Sequence, residues 1–342
     1  MATLKLASHE LVRRRPDESF PTMEALREHC RRERQQSEDR WLVPRSLQPV
    51  AQAGELFFSA ANDRAFLPSD WSFSQICRLC GVDKETVNRL TPDTAAAVFR
   101  ETLPASNKPV QLLTTEANLR SIHGTVYTRL WNAELLECVA DVAHDFTPPQ
   151  PGCNGGSGLY CGEQDMFCFL IDPQGWIDIE GDAFAPGFFV WNSEVGRRSV
   201  GISTFWFQKV CANHIVWDAT DVVEFSRKHT GKVQDGLAEI RQHIEALVKR
   251  RDERRDAFAT TIRKAMSESL GDTADAALQA LTKQAIPRAT VTRAINELGA
   301  AGKPFTLWNL VEALTRYHTS VRYAGDRAER DQLVGKLLAL VA

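Results

Sequence analysis

At 342 residues with 43% apolar side chains, the chain is long enough to bury one large core or two modest ones, which excludes wholesale disorder. No apolar run approaches the ~20 residues of a bilayer crossing, and Met1 to Leu11 lacks the apolar centre of a secretory signal, so no membrane association and a cytoplasmic setting are expected. The net charge of −3 conceals a segregation: Trp131 to Gly196 holds eleven acids and no Lys or Arg, whereas Arg197 to Lys264 holds fourteen Lys and Arg against nine acids. A nucleic-acid partner is therefore expected on the second stretch.

Residues 1–58 are charged and weakly periodic, with Pro16 and Pro21 as breakers, and predict an N-terminal arm carrying one helix from Met23 to Gln36. Between Ser72 and Leu103 the spacing of Ile76, Leu79, Val87, Leu90 and Val98 is helical. The part from Phe73 to Leu90, with Gly81 near a turn, has the spacing of a helix-turn-helix. Because its second helix offers a groove only Lys84, Asn88 and Arg89, the reading preferred is a pair of packing helices. Cys77 and Cys80 form a C-x-x-C without a second ligand pair, which predicts thiols in a helical core; no metal or cofactor is expected.

Strands are predicted at Val110 to Thr115 and Ser121 to Leu130, then a helix from Asn132 to His144 and a Pro/Gly-rich loop from Pro148 to Gly158. Further strands follow at Met166 to Ile171, Trp176 to Glu180, Phe184 to Trp191 and Val200 to Val210. Their short connections make the sheet antiparallel, so residues 59–230 read as an α+β core. Residues 231–342 read as an all-helical C-terminal region. Leu237, Ile240, Ile244, Leu247, Phe258, Ile262 and Met266 predict one long helix from Val233 to about Leu270, with Arg250, Arg251, Arg254 and Arg255 on one adjoining surface. Shorter helices are expected near Thr273 to Gln284, Thr290 to Leu298, Thr306 to Tyr317 and Ala328 to Val341.

The run VWNSEVG from Val190 to Gly196, the strand after it, Cys211 with Asn213, and then Arg227, Lys228, His229 and Thr230 are similar to the pattern of the phage/plasmid-like family catalogued as domain of unknown function 932. The resemblance extends over roughly residues 60 to 245. It implies a mobile-element setting and, by analogy, a likeness to single-strand annealing recombination proteins; it brings no catalytic residues. Asn192, Ser193, Glu194, Gly196, Cys211, Asn213 and His229 are assigned structural roles within this motif.

The expected function is non-catalytic binding of nucleic acid, single-stranded DNA above all, in recombination or replication, by a homo-oligomer. Phosphates would be held by Arg197, Arg198, Lys209, Arg227 and Lys228 and by the four arginines from 250 to 255, and Trp206 would stack a base. Two alternatives stand beside it. A magnesium-dependent nuclease would use Asp178, Glu180 and Glu194 as ligands. A protein-binding module countering a host defence enzyme would use the cation-free acidic stretch as a mimic of nucleic-acid charge.

Overall fold

The computed structural model describes residues 10–60, 64–149, 158–209, 214–217, 224–281 and 286–341. The N-terminal half is built from β1 (Glu18–Phe20), α1 (Met23–Gln35), β2 (Ser37–Leu42), β3 (Leu47–Gln52), β4 (Glu55–Ala60), β5 (Ala65–Pro68), α2 (Asp70–Cys80), α3 (Lys84–Val87), α4 (Pro92–Thr102), β6 (Val110–Thr115), β7 (Asn118–His123) and α5 (Asn132–Val142). Next come β8 (Leu159–Cys161), β9 (Met166–Ile171), β10 (Ile177–Ile179), β11 (Asp182–Asn192), β12 (Val200–Gln208), β13 (His214–Trp217) and β14 (Glu224–Arg227). The helices α6 (Asp235–Lys249), α7 (Arg251–Ser267), α8 (Ala274–Ala280), α9 (Arg288–Ala300), α10 (Leu307–Tyr317) and α11 (Ala324–Gly335) complete the chain.

The expected α+β class, with an antiparallel sheet and a helical C-terminal region, is what the chain forms. Eight strands make that sheet in the order β1-β8-β9-β11-β12-β13, with β10 on the first part of β11 and β14 on the first part of β12. A second, six-stranded sheet runs β2-β6-β7-β5-β4-β3, and β5 joins β7 in parallel. Where an arm with one helix was expected, β2, β3 and most of β4 join this sheet, and the buried Leu47, Leu56 and Phe58 alternate with the more exposed Gln48, Glu55 and Phe57. The strand predicted from Ser121 to Leu130 is β7, displaced to Asn118–His123, after which the chain leaves the sheet.

The run Val233 to Leu270 is helical but divides at Arg250, whose φ of −103° and ψ of 21° depart from helical values. The division has a packing cause. Ile240, Ile244 and Leu247 of α6 bury against Val200, Ile202 and Phe188, whereas Phe258, Ile262 and Ala265 of α7 bury against Phe184, Trp206 and the later helices. One straight cylinder could not serve both patches, so the regular spacing of the apolar residues concealed a joint. The helix-turn-helix spacing resolves as packing: α2 ends on Gly81 in the left-handed region (φ 68°), and α3 is a single turn whose Lys84 pairs with Asp70 at 2.6 Å. Burial pushes the Cys77 thiol up to about 12, so it stays protonated in that helical core.

The opposite face of the large sheet is aromatic, with Phe167, Phe169, Phe189, Trp191, Phe205 and Phe207 all buried. Each such ring removed from water contributes roughly 2–3 kcal/mol. Glycines make room for them: a Cβ on Gly201 would sit 2.3 Å from Trp191 Cζ2 and 2.5 Å from the Phe225 carbonyl oxygen. Because one obstacle is backbone, Gly201→Ala is expected to cost about 2–3 kcal/mol, in the range of overpacked cores. Urea unfolding of the variant beside the parent checks this, and a loss below about 0.5 kcal/mol would refute it.

Candidate nucleic-acid interface

The loop after β11 is the best-determined polar feature of the chain. Asn192 Nδ2 donates to the Leu130 carbonyl at 2.9 Å and to Asn132 Oδ1 at 2.8 Å, and Ser193 Oγ donates to the Gln164 carbonyl at 2.5 Å. Glu194 is buried; one carboxylate oxygen receives Arg120 at 2.9 Å and the other receives the Asn132 amide at 2.7 Å. Its carbonyl accepts from Tyr127 Oη and from the Arg129 guanidinium, while Trp71 Nε1 donates to the Val195 carbonyl at 2.7 Å. Gly196 follows with φ 69°, where a Cβ would meet the His123 ring at 2.7 Å. Loop, second sheet and α2 thereby form one seam.

That seam aims two arginines differently. The amide of Arg197 donates to Ser193 Oγ at 2.8 Å, and its exposed guanidinium lies 5.7 Å from the centre of the Trp71 ring. Among the described residues it has no carboxylate partner. Arg198 turns inward, 2.7 Å from Asp165, beside Glu329 and 3.5 Å from Asp326. Burial works against its charge, but Asp165 and Glu329 outweigh it and hold the guanidinium protonated. Both line a cavity of 290 Å³ between the aromatic face and α11, whose floor is Phe167, Phe189 and Trp191 and whose far wall is Gly325, Ala328 and Glu329. Gly325 permits this approach, since a Cβ there would sit 2.8 Å from the Arg198 guanidinium and 2.9 Å from Phe167.

The remaining predicted contacts divide. Trp206 is a correction: it is fully buried and stacked on Phe258, with ring centres 4.1 Å apart and planes within 7°, so no base can reach it. Strand alternation puts Trp206 on the face that α7 covers, opposite Phe205 and Phe207. Arg227 is engaged by Glu239, by Asp235 at 3.6 Å and by the Lys232 carbonyl at 2.9 Å. Lys209 and Lys228 are exposed, and Lys209 Nζ stands 5.9 Å above the ring of the partly exposed Trp176. Arg250 pairs with Glu253, Arg255 pairs with Asp252 and Asp256, and Arg254 is buried, so these three do not form a common phosphate track. The side chain of Arg251, and Cys211 and Asn213 altogether, lie outside the described residues. His229 is buried, its ring centre 5.5 Å from that of Tyr127.

The proposed magnesium ligands do not meet. Asp178 and Glu180 are exposed at the β10 turn, where Asp178 accepts the Gly181 amide at 3.1 Å. Asp178 is in register with Ala183 near the start of β11, while Glu194 follows the end of that strand, so roughly 30 Å of extended chain separates them. Nor is the acidic stretch a free anionic surface. Arg27 and Arg31 pair with Glu137, Arg34 with Glu134, and Arg14 and Arg198 with Asp165. Most of these cations come from the N-terminal region, a long-range neutralisation that local charge counts do not reveal.

Trp191 and Trp71 are the rings that reading the sequence missed. For Trp191 the signal was the alternation Phe189, Trp191 along a strand that also places Val190 and Asn192 on the other face. For Trp71 there was none, because 124 residues separate it from the carbonyl it bonds.

Residues 154–340 match a family model described as Domain of unknown function (DUF932). The match includes the loop, the two arginines, the aromatic face and the C-terminal helices; against the stretch of roughly 60 to 245 that first suggested the family, it begins later, leaving out 60–153, and extends further toward the C-terminus. No curated protein and no solved structure matches the chain. No described helix is long and apolar enough to cross a membrane.

Proposed function

The chain belongs to the family catalogued as domain of unknown function 932, a membership that names no reaction, and from that premise we propose non-catalytic binding of single-stranded nucleic acid, in the DNA metabolism of a phage or plasmid, by a self-associating protein. The observation that carries the reading is the cleft with Arg197 at its rim and Trp191, Phe189 and Phe167 beneath. Trp191, 9% exposed, gives an unstacked base the open edge of an otherwise buried aromatic floor, and a phosphate finds an uncompensated guanidinium, the two features that sequence-tolerant single-strand binding combines. At 290 Å³ the cleft lies at the lower end of the ~300–1,000 Å³ of small-ligand sites, suited to one base and its phosphate. Lys209 over Trp176 offers a second contact of the same kind, and Lys228 a further cation.

Fluorescence anisotropy with labelled single- and double-stranded oligonucleotides, at several salt concentrations, tests this. Arg197→Ala is expected to weaken single-strand binding about 3- to 10-fold and to reduce the salt slope by about 0.7, the share of one single-strand phosphate contact. Absence of affinity at low salt, or an unchanged affinity and slope in Arg197→Ala, would overturn the proposal.

A further inference from the structure

A second cluster lies where α1 meets the edge of the large sheet, apart from the cleft. α1 begins at Thr22, whose hydroxyl accepts the Ala25 amide at 3.1 Å, and it buries Leu26 and Cys30. His29 and Glu33 are one turn apart and share the flank beside that stripe. Cys161 closes β8, in register with Glu18 of β1 and Met166 of β9, so its position is fixed from both sides. The imidazole of His29, the carboxylate of Glu33 and the thiol of Cys161 each offer a donor atom, and these atoms lie within 4.8 Å of one another.

We propose that His29, Glu33 and Cys161 bind a zinc ion that ties α1 to β8. Tetrahedral zinc, with bonds of about 2.0–2.3 Å, holds its ligand atoms about 3.3–3.8 Å apart, so closure asks for shifts of roughly 1 Å. Imidazole with thiolate selects zinc over magnesium or calcium, which prefer oxygen. Glu18 lies 3.8 Å from His29 Nδ1, so a shift of under about 1 Å would bring it into the hydrogen bond by which carboxylates orient metal-bound histidines. Of the three ligands, Glu33 lines a cavity of 220 Å³, together with Arg120, Ser69 and Glu163. The neighbouring Cys30 hydrogen-bonds with Cys161, and together with burial this keeps the Cys161 thiol well above its usual range.

Reduced, chelator-treated protein is titrated with cobalt(II), whose thiolate complexes give a near-ultraviolet charge-transfer band. The parent is expected to develop that band at one equivalent and to lose it on addition of zinc. His29→Ala, at a half-exposed position, is expected to weaken binding at least tenfold, and Cys161→Ser to abolish the band, with circular dichroism reporting that each variant is folded; Cys77→Ser should leave it intact. No band in the parent, or an undiminished band in folded His29→Ala, would overturn the proposal, and the His29 variant decides alone if Cys161→Ser does not fold.

Discussion

Replacing Glu194 with alanine is expected to destabilise the protein by about 3–5 kcal/mol, the loss that follows when one member of a buried ion pair is removed and the other stays. Its side chain is 1% exposed and that of Arg120 is 7% exposed, so water cannot replace the missing charge. Burial pushes the Glu194 carboxyl up, and Arg120 and the Asn132 amide oppose that push. Glu33, 3.4 Å from Arg120, retains part of the compensation and keeps the loss from being larger. Glu194→Gln preserves the shape and one hydrogen bond and should cost about half as much. Arg120→Met combined with Glu194→Leu should recover part of the deficit, because no buried guanidinium is left without its carboxylate, while Glu33 and the Asn132 amide lose their partners and limit the recovery. Urea unfolding of the four proteins reads this out. A loss under 1 kcal/mol in Glu194→Ala would mean that the loop is held by its backbone contacts alone.

Acidification should unfold the protein through two histidines packed around one tyrosine. His123 stacks on Tyr127 with ring centres 3.6 Å apart, and His229 lies on the tyrosine at 5.5 Å. Burial, reinforced by Arg129, depresses His123 to about 3 and His229 to about 4. A histidine lowered in the folded state is neutral there, while the unfolded chain takes up its proton near the ordinary value of about 6.5. Stability is thus fully present above pH ~6.5 and falls as the pH drops toward ~4, by on the order of 3 kcal/mol per histidine at the lower limit. Asp17, Glu163 and Asp331 are raised by burial and work in the opposite sense, since the folded state binds their protons more tightly. The clean measurement is therefore a difference. His123→Phe should match the parent within about 1 kcal/mol at pH 7 and exceed it by about 2 kcal/mol at pH 4.5. Parallel stability curves for the two proteins between pH 7 and 4.5 would show that His123 is not held neutral by the fold.

Much of the architecture was legible along the chain. β6 and β9 occupy the predicted residues, and α1, α5 and α10 differ from expectation by one or two residues at an end, because their apolar spacing and flanking breakers are local properties. The run VWNSEVG was also legible as a determined feature. Asn192 and Ser193 have the short polar side chains that bind backbone in turns, and Gly196 supplies the positive φ that the turn uses. The six-stranded sheet was not legible, because its charged strands read as an arm and its order depends on the parallel union of β5 with β7 across some fifty residues. The joint at Arg250 escaped for a related reason: although Lys249 to Asp256 holds no apolar residue, Leu247 and Phe258 are eleven residues apart and so keep one helical phase, and only the two separate patches of sheet beneath α6 and α7 break the helix.

Charge illustrates the same boundary at the candidate sites. The composition established that cations and acids are segregated, and it located Arg197 and Arg198 correctly next to an aromatic strand. Which arginine remains available was decided by the fold, since ion pairing acts through space and Asp165, Asp326 and Glu329 reach Arg198 from 33 to 131 residues away. The burial of Trp206 has an equally simple origin: alternation assigns residues to two faces of a strand, but which face a later helix covers is a matter of packing. His29, Glu33 and Cys161 convey the limit most sharply. Two sit one helical turn apart and the third follows 128 residues later, so no spacing rule could join them before α1 lay against β8. Residue order thus sets turns, periods and faces, which depend on near neighbours; burial and charge pairing depend on whatever the chain brings alongside.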